Sequence, residues 1–399
     1  MSETENSCKK SGGLFKDRSK LRKFAIKIVA SCIVILFSFL LLEILMIILE
    51  PYVFKGFYQY DRDLGFKVRS YTNGTNRFGF NARDFSLNKT DGVFRILVVG
   101  DSFNWAGGRE GNYTALLEKK FEKYYGRHRV DIVNVGYPMT HTGEQLAMLK
   151  KYGLQYNPDM VFLGFFAGND FLNADPYRKL IVVNDTYFDI DTRHEKTFLG
   201  YPVIFKSRLW YFIKQKITVF RKINTDDTQQ KNVWPQEGQN STACTFSEGE
   251  FLDIERHRLE FCNVSFYQKA KNKKNIDYIF QSLSGMQQIL ADRKIKFLVG
   301  IYPDEFQVSN TLLMDMFQSF GLEKNNYDVE LMQHILKKDL ESKHIPYIDL
   351  LDYFKIKANK EPLYLCRNTH WNSAGNELAA TVIFQYLLPR VDSLIKQQK

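Results

Sequence analysis

The sequence predicts an α/β fold: a parallel sheet of about five strands covered on both faces by helices, behind one N-terminal membrane-crossing helix. Three observations predict it. Short apolar runs alternate with segments whose apolar residues recur at helical spacing. Several of these runs stop at Gly, Asp or Asn, where a buried strand would turn into a loop. One apolar stretch near the N-terminus is long enough to cross a bilayer.

That stretch comes first. Phe24 to Leu49 reads FAIKIVASCIVILFSFLLLEILMIIL. At about 1.5 Å of rise per residue it covers a hydrocarbon core. Lys27 can reach back to the basic flank, and Glu43 is the one acid, placed toward the far interface. Residues 1–27 carry Lys9, Lys10, Lys16, Arg18, Lys20, Arg22, Lys23 and Lys27 against Glu3, Glu5 and Asp17. Positive charge ahead of the span predicts a cytoplasmic N-terminus with the remainder across the membrane. No small-x-small cleavage site follows Leu49. VASC (Val29–Cys32) looks like a lipoprotein cleavage box, yet the apolar run continues past Cys32. An uncleaved anchor is therefore expected. The expected divisions are 1–23 as a cytoplasmic tail, 24–49 as the lipid-embedded helix and 50–75 as a stalk.

The folded part opens with the turn-rich NRFGFNARDF (Asn76–Phe85). Strands are expected at Phe94–Gly100, Asp131–Gly136, Met160–Phe166, Lys296–Tyr302 and Pro346–Leu351. Between the second and third, Leu146, Leu149, Tyr152, Gly153 and Tyr156 mark a helix over His141–Tyr156. Ile276, Ile279, Leu283, Met286 and Leu290 mark another, and Tyr327–Leu340 and Asn372–Leu388 complete the set. Residues 76–170 and 275–399 thus form two parts of one domain.

Residues 171–274 break the alternation. Trp210–Arg221 and Glu248–Phe261 have helical spacing, and Lys222–Phe246 between them is polar and turn-rich. Two placements fit this insertion: a cap over the strand ends, or a lateral subdomain away from them. It holds Cys244 and Cys262, which could form a disulfide in an oxidising compartment or remain thiols. The other cysteines are Cys8, Cys32 and Cys366, and no CxxC or Cys/His cluster suggests a metal.

The net charge is +10, about half of it in the N-terminal tail. No basic stripe with interleaved aromatics points to nucleic acid. The 33 Phe and 22 Tyr are compatible with sugar or lipid contacts, although core packing accounts for them as simply. Six Asn-x-Ser/Thr sequons (Asn73, Asn88, Asn112, Asn184, Asn240, Asn263) matter only in a eukaryotic secretory pathway.

Chemistry concentrates at strand ends, where open α/β sheets place their sites. Ser102, in GDSFNWAGG, follows the first strand and is expected to open a helix, whose outward N–H groups favour developing negative charge. Gly136, in DIVNVGYP, follows the second strand. Its N–H could serve an oxyanion, or it could be a turn glycine. Asn169, in VFLGFFAGND, follows the third strand and offers an amide donor, or fills a left-handed turn. His370, in NTHWNSAG, could act as a base near neutral pH, or cap the helix that follows. Each residue alone has a plain structural explanation. Together, in this order, they suit a nucleophile, oxyanion donors and a base.

These four blocks resemble the SGNH, or GDSL, hydrolases: GDS with Ser102, NVG with Gly136, GND with Asn169 and THWNSAG with His370. The resemblance spans residues 76–389 outside the insertion. The anchor, the His-Trp-Asn block and PDEFQV (Pro303–Val308) are similar to a membrane-anchored branch related to alginate-type polysaccharide O-acetyltransferases. The family implies a three-layer α/β/α fold, no cofactor, and ester chemistry through an acyl-Ser102. It normally carries an Asp two or three residues before the histidine, where this chain has Asn368 and Arg367. Asp304, Glu305 and Asp349 are the candidates for a substitute acid. Alternatively a Ser–His pair suffices, or activity is weak.

The resulting expectation is an extracytoplasmic O-acyl esterase or acetyltransferase. It would act on an acylated glycan or small ester, beside polysaccharide-modification or export partners. The alternative is a weakly active or inactive glycan-binding scaffold.

Overall fold

In the computed structural model, the residues described are 4–53, 57–72, 74–183, 186–194, 196–198, 201–202, 207, 209–210, 212–214, 217 and 244–397. The chain divides into two compact units, residues 1–55 with 203–230 and residues 56–202 with 231–399.

The first unit is built on helix α1 (Thr4–Val53). Its stretch Arg22–Met46 is long and apolar enough to cross a membrane, and none of it is buried in protein. The isolated acid of that stretch is not left bare. Glu43 accepts hydrogen bonds from the Ser207 hydroxyl and from the Leu209 N–H at 3.2 Å. Residues 209–210, 212–214 and 217 are helical, as the spacing of Trp210–Arg221 suggests; the rest of that segment, and all but the last three residues of Lys222–Phe246, lie outside the described residues.

The second unit is a five-stranded sheet with helices on both faces. Its strands are β3 (Phe94–Val99), β4 (Val130–Asn134), β5 (Met160–Phe166), β10 (Lys296–Tyr302) and β11 (Tyr347–Asp349), in the order β11-β10-β5-β3-β4. Every pairing is parallel. All five strands coincide with apolar runs of the sequence. Runs buried on both faces are continuous, as a fully covered parallel sheet requires. Side chains alternate between two cores. Leu97, Val99, Leu163, Phe165, Val299 and Ile301 face α3 (Thr142–Lys151), α5 (Ala270–Ala291) and α6 (Leu331–Ser342). Ile96, Val98, Ile132, Phe162 and Leu298 face α2 (Tyr113–Tyr125), α7 (Leu351–Ala358) and α8 (Ser373–Gln397). The apolar α8 is thus a core helix: Ala379, Ala380, Ile383, Leu387 and Val391 are buried against the sheet.

Three expectations need correction. Residues 50–75 are not simply a stalk. Strands β1 (Tyr58–Asp61) and β2 (Gly65–Val68) form an antiparallel hairpin. It sinks Tyr58, Phe66 and Val68 into the first core. Buried Asp61 fixes it there by accepting from Lys151 Nζ at 2.8 Å and Tyr152 OH at 2.9 Å. Strands of four residues with Tyr, Gln and Lys at the outward positions leave too short a pattern to read.

The insertion is also not one body. Its first part is a hairpin, β6 (Arg178–Val183) and β7 (Thr186–Asp191), lying beside β1 and β2. Two short strands follow, β8 (Thr197–Phe198) and β9 (Tyr201–Pro202). Its last part, α4 (Glu248–Leu259), lies by the strand that carries His370: Arg258 donates to the Thr369 hydroxyl, which donates to Glu255. Helix α5 starts at Ala270, so residue 275 falls inside a helix rather than at a boundary.

Finally, Cys244 pairs with Cys366, 122 residues on, and not with Cys262. Cys262 is a buried free thiol that donates to Val329 O at 3.6 Å.

The hairpin generates a test. Phe66→Ala should destabilise the protein by about 3–5 kcal/mol, because it empties a filled core position. The measurement is the urea midpoint of the detergent-solubilised chain. A change below about 0.5 kcal/mol, typical of surface sites, would show that residues 57–72 behave as a stalk.

Candidate active site

The site forms where β3 has β4 on one side and β5 on the other. This is the switch point at which parallel sheets open a crevice beyond their carboxyl ends. β3 delivers Ser102 there. The expected helix after Ser102 is only a 3₁₀ turn, Ser102–Asn104, capped by Asp101 Oδ1 accepting from Phe103 N at 2.9 Å. Gly107 and Gly108, at φ of +93° and +70°, turn the chain away, and α2 begins only at Tyr113. The field of a full helix is therefore absent at Ser102. The Ser102 N–H nonetheless has no hydrogen-bond partner among the described residues.

His370 arrives on a separate two-stranded ribbon, β12 (Tyr364–Leu365) and β13 (Asn368–Trp371). Its neighbour Trp371 is fully buried, with ring centroids 4.6 Å from Phe103 and 4.8 Å from Tyr302. This aromatic packing ties the ribbon to the Ser102 turn and to β10. His370 Nε2 lies 2.8 Å from Ser102 Oγ, across 268 residues of sequence. Its Nδ1 lies 2.6 Å from Asn368 Oδ1.

The proton positions follow from chemistry. The His370 backbone N–H can only donate, and it reaches Asn368 Oδ1 at 3.1 Å. The amide therefore turns its oxygen toward the ring, and an oxygen can only accept. Nδ1 then carries the proton, and Nε2 is left to accept from the Ser102 hydroxyl. Asn368 Nδ2 donates on its other side to Thr245 Oγ1 at 3.0 Å. Burial, and secondarily the positive charge of Arg258, lowers the His370 pKa to about 3, so the ring is neutral at pH 7.

Arg258 was not visible as a site residue in the sequence. From α4 it reaches Glu255 at 2.6 Å, Asp304 at 3.8 Å and the hydroxyl of Thr369, next to His370. Its guanidinium also lies over the Phe166 ring, 5.5 Å from the centroid. Glu255 and Asp304 are wholly buried. Burial raises both carboxyls, and the proximity of Asp304 raises Glu255 further. Glu305 is pushed up to about 8 by burial and then by Asp304. A Glu–x–x–Arg pair on one helix face was the available signal, but such pairs are common on exposed helices.

None of the proposed substitute acids contacts His370. Asp304 caps the following turn, accepting from Glu305 N at 2.7 Å, and fills the space beside Gly168, where a Cβ would meet Asp304 Oδ2 at 2.0 Å. Glu305 belongs to the same acid cluster. Asp349 caps Leu351 N at 3.0 Å and pairs with Lys337. The position facing Nδ1 is held by Asn368 itself.

The oxyanion donors divide. Asn169 follows β5, and its side-chain amide has no hydrogen-bond partner among the described residues. Gly136 departs from expectation: its N–H donates to Asn134 Oδ1 at 3.0 Å. A Cβ there would meet the Asn104 side chain at 2.5 Å. Gly136 serves close packing against the Ser102 turn and is not a free donor.

As a whole, the arrangement can pass a hydroxyl proton to a neutral imidazole, with an N–H at the serine that has no partner among the described residues. Among the described residues no group of three His, Cys, Asp or Glu is arranged to hold a metal.

Residues 261–399 match a family model described as the SGNH hydrolase-like domain of the acetyltransferase AlgX. No curated protein sequence matches the chain. Among solved structures, the acetyl xylan esterase AlAXEase is similar at 14% identity, with a TM-score of 0.39 over 74% of this chain and 100% of that one. A lipase/acylhydrolase from Enterococcus faecalis is similar at 13%, with a TM-score of 0.36 over 75% and 97%. A catalytic mutant of the acetylxylan esterase Axe2 from Geobacillus stearothermophilus is similar at 11%, with a TM-score of 0.38 over 75% and 95%. The part of the chain that matches an SGNH hydrolase-like family model, residues 261–399, therefore carries His370, and the parallel sheet brings it to the Ser102 turn.

Proposed function

We propose that the protein is a membrane-anchored, extracytoplasmic O-acyl esterase or O-acetyltransferase that acts on a cell-surface or exported glycan through an acyl-serine. One observation carries this reading: the continuous hydrogen-bonded chain from Ser102 through His370 to Asn368. Ser102 Oγ attacks the ester carbonyl while its proton moves to His370 Nε2. The carbonyl oxygen gains charge facing the Ser102 N–H and the Asn169 amide. The bond to the leaving oxygen breaks as His370 returns the proton to it. Water or a sugar hydroxyl then takes the acyl group by the reverse steps, and its identity decides between esterase and transferase.

Asn368 supplies orientation without charge. In a serine protease an Asp-to-Asn change costs about 10⁴ in turnover, largely through the wrong tautomer. Here the amide oxygen faces Nδ1, so the tautomer is the productive one and only the charge offset is missing. An apolar span after a basic tail supports anchoring through residues 24–49, with residues 1–23 cytoplasmic. The Cys244–Cys366 bond suits an oxidising compartment. The glycan assignment follows the acetyltransferase for which the matching family model is described. On the same reading, the partners are an acyl donor and the proteins of polysaccharide modification or export.

The direct test uses the purified full chain in detergent with an acetyl ester and a fluorophosphonate. Turnover is expected, with label on Ser102 and none in Ser102→Ala. No turnover and no label would contradict the enzyme reading and leave a binding scaffold.

The pH profile is a second test. Only neutral His370 accepts the serine proton, and its lowered pKa of about 3 keeps it neutral through mildly acidic pH. kcat/KM should therefore lack an acid limb near pH 6.5. Asn368→Asp places a negative charge at Nδ1, favours the imidazolium and should move that limb upward while raising turnover. A parent limb at pH 6–7 that Asn368→Asp does not move would contradict the assignment.

A further inference from the structure

We propose that Thr245, tied to the histidine ribbon by the Cys244–Cys366 disulfide, is a positioning residue that keeps the Asn368 amide in its working orientation. The proposal rests on the acyl-serine reading above.

The need arises because asparagine replaces aspartate. A carboxylate has two equivalent oxygens and presents an acceptor to Nδ1 whichever way it turns. An amide has unlike ends. Rotated by half a turn, Asn368 would aim its NH₂ at Nδ1. The ring would then carry its proton on Nε2, which could not accept from Ser102. Asn368 is only 3% exposed, so solvent is poorly placed to hold the amide. Its orientation rests on two contacts: the His370 N–H to Oδ1, and Nδ2 to Thr245 Oγ1.

Thr245 lies 123 residues from Asn368 in sequence. Its N–H donates to Cys366 O at 3.1 Å, and the adjacent Cys244 is bonded to Cys366 itself. Other ties lie farther along: the exposed pair Arg367–Glu248 at 2.8 Å, a kind that adds little, and the bonds of Arg258 and Glu255 with Thr369. The disulfide is the covalent link, and it adjoins Thr245 directly. Both of its cysteines are exposed. A dithiol can reach the bond and reduce it to two thiols, closing its own disulfide as it does so.

The test is ester turnover by the full chain in detergent, with thermal unfolding followed in parallel. Thr245→Val keeps the shape and removes the acceptor. It should lower kcat by about tenfold or more with little change in KM, since a misturned amide disables the base and leaves binding alone. Thr245→Ser should recover most of the loss. In an Asn368→Asp background Thr245→Val should cost less than about threefold, because the carboxylate has no wrong end. Cys244→Ser with Cys366→Ser, or dithiothreitol, should reproduce the loss and show the same relief by Asn368→Asp.

Equal losses from Thr245→Val in both backgrounds would reveal a merely structural role and overturn the proposal. So would an active parent indifferent to Thr245→Val. A parent with neither turnover nor label on Ser102 would overturn the acyl-serine reading, and the proposal with it.

Discussion

A single hydrogen bond, donated by the Ser102 hydroxyl to His370 Nε2, is the contact on which the site depends. Its partners come from different parts of the chain and from different sheets. The serine ends the first strand of the parallel sheet; the histidine rides on a ribbon outside that sheet. Their approach depends on Trp371, which packs against the ring just after Ser102 and against Tyr302 of β10. Close-packed aromatic rings resist displacement in a way a flexible loop does not. The serine–histidine pair therefore depends on core packing as much as on polar contacts.

Around this bond the electrostatics are unusual for a serine–histidine pair. The ring faces a neutral amide, and the nearby cation, Arg258, opposes protonation. Arg258 is in turn held by Glu255 and Asp304, which burial drives toward their protonated forms. A charged acid at Nδ1 is replaced by a buried amide whose direction is set by its neighbours. On the proposed mechanism, an imidazolium formed during attack meets an amide and not a carboxylate at Nδ1, so speed would rest more on geometry and on the oxyanion donors. That shift explains why the insertion matters. Both Arg258 and Thr245 belong to it, and both act at the histidine ribbon.

The sheet was legible because its strands are unbroken apolar runs and its helices keep a 3.6-residue rhythm. Ser102, Asn169 and His370 were legible because they follow those runs directly. Non-local features were hidden. The β1–β2 hairpin is too short to show a period, and it owes its place to Asp61 meeting Lys151 and Tyr152. The disulfide joins residues 122 apart, and spacing alone favoured the nearer Cys262. Gly136 looked like a donor because its N–H partner, Asn134, lies two residues earlier in a strand and is revealed only by side-chain geometry. Arg258 and Glu255 have the spacing of an ordinary surface pair, and burial of charge leaves no mark on a helical pattern.

The proposed chemistry turns on where one proton sits, and nitrogen NMR of the ¹⁵N-histidine-labelled chain measures it, with His370 assigned by its loss in His370→Asn. The expected result at pH 7 is a neutral ring protonated on Nδ1 and unprotonated on Nε2, persisting to about pH 4 given the lowered pKa of about 3. A ring protonated on Nε2, or an imidazolium at pH 7, would mean that Asn368 does not orient His370 as a base.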